Sequence, residues 1–278
     1  MSELHAAGLT SVRVQTERAE VHVLTRPGPR PVVFVHGLSA SSLFFVDAAE
    51  RPELAGRGLV LVDLPGFGHS RPSEDFGYTM PEQSRAVAET FERLGVVDAT
   101  LVGHSMGGTI AILAVDRLAS RISRLVLAEA VLLHDDSIWT AQIARMPFAD
   151  WDAAFDGIQK RPEVWARGGM LRRRGHAVRQ VAPAILHTSA RAMHRSAVEL
   201  HRESADPLLY QRFLAIPTPF EYVFGDVHDN TQFCARVCAD GVAHRFVTRA
   251  GHLMMLDNPD EFYAIVAEDA GPEGSERR

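Results

Sequence analysis

The stretch LVGHSMGGTI, residues 101–110, decides how this chain is read. An apolar run from Ala99 to Val102 stops abruptly at Gly103, His104, Ser105, Met106, Gly107 and Gly108. The pattern G-x-S-x-G between a strand and a helix predicts a bend so sharp that the serine takes strained backbone angles, and the glycines two residues to either side avoid side-chain collisions. Such a bend lifts the Ser105 hydroxyl above the edge of a sheet. The helix that follows points its N-terminus at the same spot, so the Met106 N–H and the helix dipole favour negative charge there.

Working outward, short apolar runs recur along the chain: SVRVQ, EVHVLT, PVVFVHG, GLVLVDLPG, ATLVGHS, RLVLAEA, FEYVFGD and HRFVTRAGH. They predict eight strands. From PVVFV onward they alternate with helical segments, the signature of a mostly parallel sheet covered on both faces. The helix after GLVLVDLPG shows the local grammar: Thr79 as cap, Glu82 at the capping-box spacing, Pro81 in the first turn, and Val87, Phe91 and Leu94 on one stripe before Gly95. From about Leu132 to Ile216 the alternation lapses into helical segments carrying Trp139, Trp151 and Trp165. That length is too great for a connection and predicts a helical cap inserted after the sixth strand. The expected organisation is a core at 1–131 and 217–270, a cap at 132–216 and a flexible tail at 271–278.

Two further motifs surround the serine. PVVFVHGLSAS ends a strand in His36-Gly37-Leu38, which puts the Leu38 N–H where a second oxyanion donor belongs, beside that of Met106. Gly37 and His104 are expected to flank the substrate. GHLMMLDNPDEF near the C-terminus sets His252 on the loop after the last strand, so the order runs nucleophile first and base last. With these motifs, and with DLPGFGHS at Asp63 to Ser70, the chain resembles the α/β-hydrolase fold family from roughly Pro31 to Val266. The resemblance implies that Ser105 attacks an acyl carbonyl, His252 moves the proton, and the Leu38 and Met106 amides hold the oxyanion. A serine where other branches carry a nucleophilic aspartate speaks against haloalkane dehalogenase and epoxide hydrolase chemistry.

The carboxylate that orients the histidine departs from the family pattern. Most relatives place it three residues after the glycine closing the penultimate strand, and here YVFGDVHDN puts His228 at that position, between Asp226 and Asp229. The other candidate is Glu129, at the end of RLVLAEA, where a minority of the family resembling the zearalenone lactonases carries its acid. A carboxylate at the mouth of a buried strand is costly to desolvate without a partner, and His252 would supply one. Glu129, Asp229 and Asp226 therefore all stand as candidates.

Composition bounds the rest. A net charge of −6, with 46% hydrophobic and 23% charged residues, describes an ordinary globular chain and argues against nonspecific nucleic-acid binding. Lys160 to Arg202 is locally basic, carrying ten Lys or Arg against Glu163 and Glu199, either a solvated face or a field that draws anionic substrates. No signal-like start and no membrane-length apolar run occur, so a cytoplasmic protein is expected. Cys234 and Cys238, four apart on a helix, are expected as small buried residues and not as metal ligands. Neither a metal nor a cofactor is expected, and the expected partner is a small-molecule substrate; oligomeric state is left open. The function these readings imply is a serine hydrolase cleaving an ester, thioester or lactone. The alternatives are a carbon–carbon bond hydrolase acting on a diketone, and a receptor-like binding protein with slow hydrolysis.

Overall fold

The apolar run at 99–102 lies at the centre of a nine-stranded sheet in a computed structural model that describes residues 8–133, 138–164, 178–227 and 231–269. The strands are β1 (Thr10–Gln15), β2 (Ala19–Arg26), β3 (Val32–Val35), β4 (Leu59–Val62), β5 (Arg71–Pro72), β6 (Ala99–His104), β7 (Ile122–Ala128), β8 (Phe220–Gly225) and β9 (His244–Val247). Their order across the sheet is β1-β2-β4-β3-β6-β7-β8-β9, with β5 paired to β2. Pairing is antiparallel at β1–β2, β2–β4 and β2–β5 and parallel everywhere else. The eight strands expected from the sequence are all present. The ninth, β5, joins Ala19 to Pro72 and Glu20 to Arg71, and two residues are too few to leave a pattern.

Alternation along the strands explains why both faces are covered. Val33 and Val35 of β3, with Val60, Val62, Leu101, Leu125 and Leu127, belong to one core with residues of α1 (Met80–Leu94) and α2 (Met106–Leu118). Val32 and Phe34, with Leu59, Leu61, Val102 and Val126, belong to a second core. That second core is closed by a 3₁₀ segment at Ser42–Glu50 and by the C-terminal helices. Every residue of β3 is 0% exposed, which a strand wetted on one side cannot be. Each such side chain contributes roughly 1.5–3 kcal/mol relative to exposure.

The capping box forms as expected: Glu82 N–H donates to Thr79 Oγ1 and Thr79 N–H to Glu82 Oε2, both at 3.2 Å. Gly95 ends α1 in the left-handed region at φ 66°. Between β7 and β8 the described residues carry α3 (Ile138–Arg145), α4 (Phe148–Lys160), α5 (Val178–Leu186), α6 (Ala190–Ala205) and α7 (Pro207–Leu214). Helix α6 packs on α1, α3 and α4, while α7 packs on α2 beside the sheet. Trp151 is buried against Phe155 and donates from Nε1 to the Ala190 carbonyl at 3.0 Å, the role of a packing residue. Trp165, with residues 165–177 of the basic segment, and the tail at 271–278 lie outside the described residues.

After β8 come α8 (Thr231–Ala239), α9 (Met254–Asp257) and α10 (Pro259–Ala267). On α8 the buried side chains are Phe233 and Val237. Cys234 is half-buried and Cys238 exposed, contrary to the burial expected of both, because the pair lies beside the apolar stripe and not on it. Both thiols are free. Among the described residues no helix is long and apolar enough to cross a membrane.

The two ends of the parallel strands differ. Where the strands begin, Arg57 donates to the Thr100 hydroxyl and to the Arg30 and Ala267 carbonyls, and Arg124 pairs with Glu221 and the carbonyls of Ile265 and Glu268. Where they finish, β3, β4, β6, β7 and β8 deliver residues 36–37, 63, 105, 129 and 225 to one edge of the sheet. The candidate site stands at that second edge.

Candidate active site

Ser105 follows the last residue of β6 at φ 54° and ψ −122°, backbone angles that a side chain tolerates only when its surroundings hold it there. The holding groups are visible. Ser105 N–H donates to the Ala128 carbonyl at 2.9 Å, and the Ser105 carbonyl accepts from Gly108 at 2.9 Å and from Val131 at 3.3 Å. A Cβ at Gly103 would lie 2.6 Å from the Gly107 carbonyl oxygen, and one at Gly107 would lie 2.2 Å from that of Val35. Backbone blocks both positions, so the glycines expected from the motif are sterically required. Met106 opens α2, and its N–H is one of the four with no acceptor inside the helix.

The loop after β3 reaches the same point. A Cβ at Gly37 would fall 2.9 Å from Ser105 Cβ and 3.1 Å from His104 Nδ1, so the loop carrying Leu38 lies directly beside the serine. His36 sets its course. The imidazole donates from Nδ1 to the Gly37 carbonyl at 2.8 Å and accepts at Nε2 from the Leu64 N–H at 3.0 Å. Burial pushes the His36 pKa down, outweighing the charge of Asp63, and the neutral ring keeps that tautomer.

Asp63, at the end of β4, anchors the next turn of the loop through the Ser42 N–H at 2.7 Å. It also accepts from His69 N–H at 2.9 Å and meets His22 Nδ1 at 2.7 Å. Burial alone would raise the Asp63 pKa; the hydrogen bonds from His22, His69 and Ser42 win and hold it below the ordinary carboxylate range. Sequence reading singled out the DLPGFGHS loop but missed the His22–Asp63 pair. It spans 41 residues between strands of opposite direction, and no local spacing signals it.

His252 sits on the loop after β9, its side chain 19% exposed. Its Nδ1 lies 3.8 Å from Glu129 Oε2, within ion-pair range and longer than a hydrogen bond. Glu129 is 3% exposed and sits at φ 48°, a second strained residue, one strand over from the first. Its other oxygen accepts from the Gly225 N–H at 2.9 Å, and its own N–H donates to the Val223 carbonyl at 3.0 Å. The next residue is pinned by Tyr222, whose hydroxyl donates to the Ala130 carbonyl at 2.8 Å. Asp226, on the turn after β8, is exposed and accepts from the Ala250 N–H at 3.1 Å, an end-of-strand bond. Asp229 and His228 lie outside the described residues.

His104, expected beside the substrate, is 2% exposed, with Nε2 2.7 Å from the His252 carbonyl oxygen. Gly37 likewise packs on the serine's own Cβ. Among the described residues no group of three or more His, Cys, Asp or Glu is arranged to hold a metal ion. What the edge does assemble is a hydroxyl on a strained bend, free amide donors at a helix start, and an imidazole facing a buried carboxylate.

Comparison with known proteins agrees with this fold. A family model described as alpha/beta hydrolase fold matches residues 30–220. An uncharacterized hydrolase of Bacillus subtilis (strain 168), YugF, is 37% identical over 102 residues, covering 36% of this chain and 37% of that protein. The chain spans 32–43% of the length of this and three other curated relatives it matches. Among solved structures, an esterase from Exiguobacterium antarcticum has a TM-score of 0.71 at 22% identity, covering 92% of this chain and 98% of that one. A complex of a mutant N-acyl homoserine lactonase AidH with N-hexanoyl homoserine has a TM-score of 0.72 at 22% identity, covering 93% and 95%. At such identities the likeness is one of fold.

Proposed function

This chain belongs to the alpha/beta hydrolase fold family, and from that premise we propose that it is a serine hydrolase cleaving an ester, thioester or lactone of a small molecule through an acyl-enzyme. Ser105 Oγ attacks the acyl carbonyl carbon while His252 takes the hydroxyl proton. The carbonyl oxygen, now an anion, accepts from the Leu38 N–H on the loop after β3 and from the Met106 N–H at the start of α2. His252 then gives its proton to the leaving oxygen or sulfur, and the carbon–heteroatom bond breaks. Water then attacks the acyl carbon as His252 takes its proton, and His252 gives that proton to Ser105 Oγ as the Oγ–acyl bond breaks, releasing the acid and restoring the Ser105 hydroxyl. Glu129 orients the imidazole and balances its transient charge.

The observation that carries this reading is the strained Ser105 bend, φ 54°, with Gly37 packed against its Cβ. Strain of this kind costs on the order of 1–3 kcal/mol and persists only where surrounding contacts enforce it. The esterase and lactonase likenesses are compatible with the substrate class and carry no weight beyond the fold. The test is covalent. A fluorophosphonate probe is expected to label Ser105 stoichiometrically, and Ser105→Ala to lose both labelling and hydrolysis of p-nitrophenyl acetate and of a lactone panel. A Ser105→Ala protein that hydrolyses as fast as the parent overturns the proposal.

A further inference from the structure

His104 is the one residue at the bend to which the proposed chemistry gives no task. Its ring stands against that of His252 at a centroid separation of 4.8 Å, and its Nε2 meets the His252 carbonyl oxygen at 2.7 Å. A carbonyl only accepts, so Nε2 carries the proton and Nδ1 holds a lone pair. That Nδ1 is buried and has no hydrogen-bond partner among the described residues. Its near neighbour is Gly37, where a Cβ would come within 3.1 Å. Burial, reinforced by the charge of His252, drives the His104 pKa down to about 3. The ring therefore stays neutral, with its donor in place, while the base beside it gains and loses a proton.

The geometry points to His104 as a positioning residue: its Nε2–H ties the backbone of the base's own residue to the strand end that carries the nucleophile. His104 and Ser105 are consecutive, so one hydrogen bond makes nucleophile and base parts of a single rigid unit. The loop is held from the other side by the Gly251 N–H on Asp257 Oδ2, at 2.7 Å. Glu129 restrains the imidazole and His104 restrains the main chain, two points of hold on one residue. This inference rests on the acyl-transfer reading of the site.

The test uses His104→Phe, which keeps a ring and removes the donor, and His104→Gln, whose amide N–H can reach the same carbonyl. A misplacement of about 1 Å costs on the order of a hundredfold in rate. His104→Phe is accordingly expected to lose on the order of a hundredfold in kcat for p-nitrophenyl acetate and in the rate of fluorophosphonate inactivation, with KM little changed. His104→Gln is expected to recover most of that loss. If the Phe variant does not fold, His104→Asn takes its place, an amide too short to reach. Full activity in the Phe variant overturns the inference, as does equal loss in Phe and Gln, or a loss confined to KM. Ser105→Ala is measured in parallel. If it is inactive while His104→Phe is unaffected, the inference alone fails; if it remains active, the acyl-transfer reading falls and takes the inference with it.

Discussion

Replacing Glu129 by Gln removes one charge and almost no volume from a group 3.8 Å from His252 Nδ1. At that separation and an effective dielectric constant of about 20, the attraction between carboxylate and imidazolium is worth about 4 kcal/mol. In the proposed mechanism the imidazolium forms as the proton moves, so the loss is expected to fall on the transition state and not on substrate binding. At about 1.4 kcal/mol per decade it amounts to roughly a thousandfold in kcat with KM little changed, and a mis-set tautomer would add to it. The measurement is the steady-state hydrolysis of p-nitrophenyl acetate at neutral pH by the parent, Glu129→Gln, Asp229→Asn and Asp226→Asn. Asp226→Asn is expected within a few-fold of the parent, since that carboxylate serves a backbone N–H. If Glu129→Gln keeps more than about a tenth of the parental kcat while Asp229→Asn loses orders of magnitude, the acid has been misassigned.

Further outcomes follow from the packing. Gly107→Ala would press a Cβ to 2.2 Å from a backbone oxygen and is expected to cost about 3 kcal/mol in urea unfolding, or to abolish folding. Gly157→Ala, in α4 with nothing within 4 Å, is expected to gain about 0.5–1 kcal/mol in the same measurement. The Asp63 pKa is lowered in the folded protein, so its contribution to stability is present above the unfolded value of about 4 and is lost as pH falls through the folded value. Asp63→Asn should therefore flatten the acid limb of stability below about pH 4, read as urea midpoints against pH. The His104 pKa is lowered from 6.5 to about 3, so the parent loses stability as pH falls from 6.5 toward 3, and His104→Gln should lose less over that window.

The parts of the site legible in the sequence are those fixed by neighbours along the chain. The bend at 103–107 could be read because its motif is contiguous in the chain, although only the Gly103 clash, with Gly107, is local and that of Gly107 is with Val35 on the adjacent strand. The Thr79 box could be read for the same reason. Groups fixed across the sheet were harder. Glu129 and His252 are brought together by the registers of β7 against β8 and of β8 against β9, and nothing local distinguishes Glu129 from Asp229. His22 meets Asp63 across strands, and His104 meets the His252 carbonyl across 148 residues of chain. Cys238 escaped burial because α8 shows the sheet a stripe only two buried side chains wide, while the thiol meets His244 Nε2 at 3.3 Å near the edge strand.

The guanidinium anchors at Arg57 and Arg124 stand a full strand's length from the bend, bracing the starts of β6, β7 and β8 against the C-terminal helix. The central strands are thus held at both ends, by guanidinium groups at one rim and by the packed bend at the other. Substitution at Arg57 or Arg124 is therefore expected to move the thermal midpoint while leaving the proposed acyl transfer at the opposite rim unchanged.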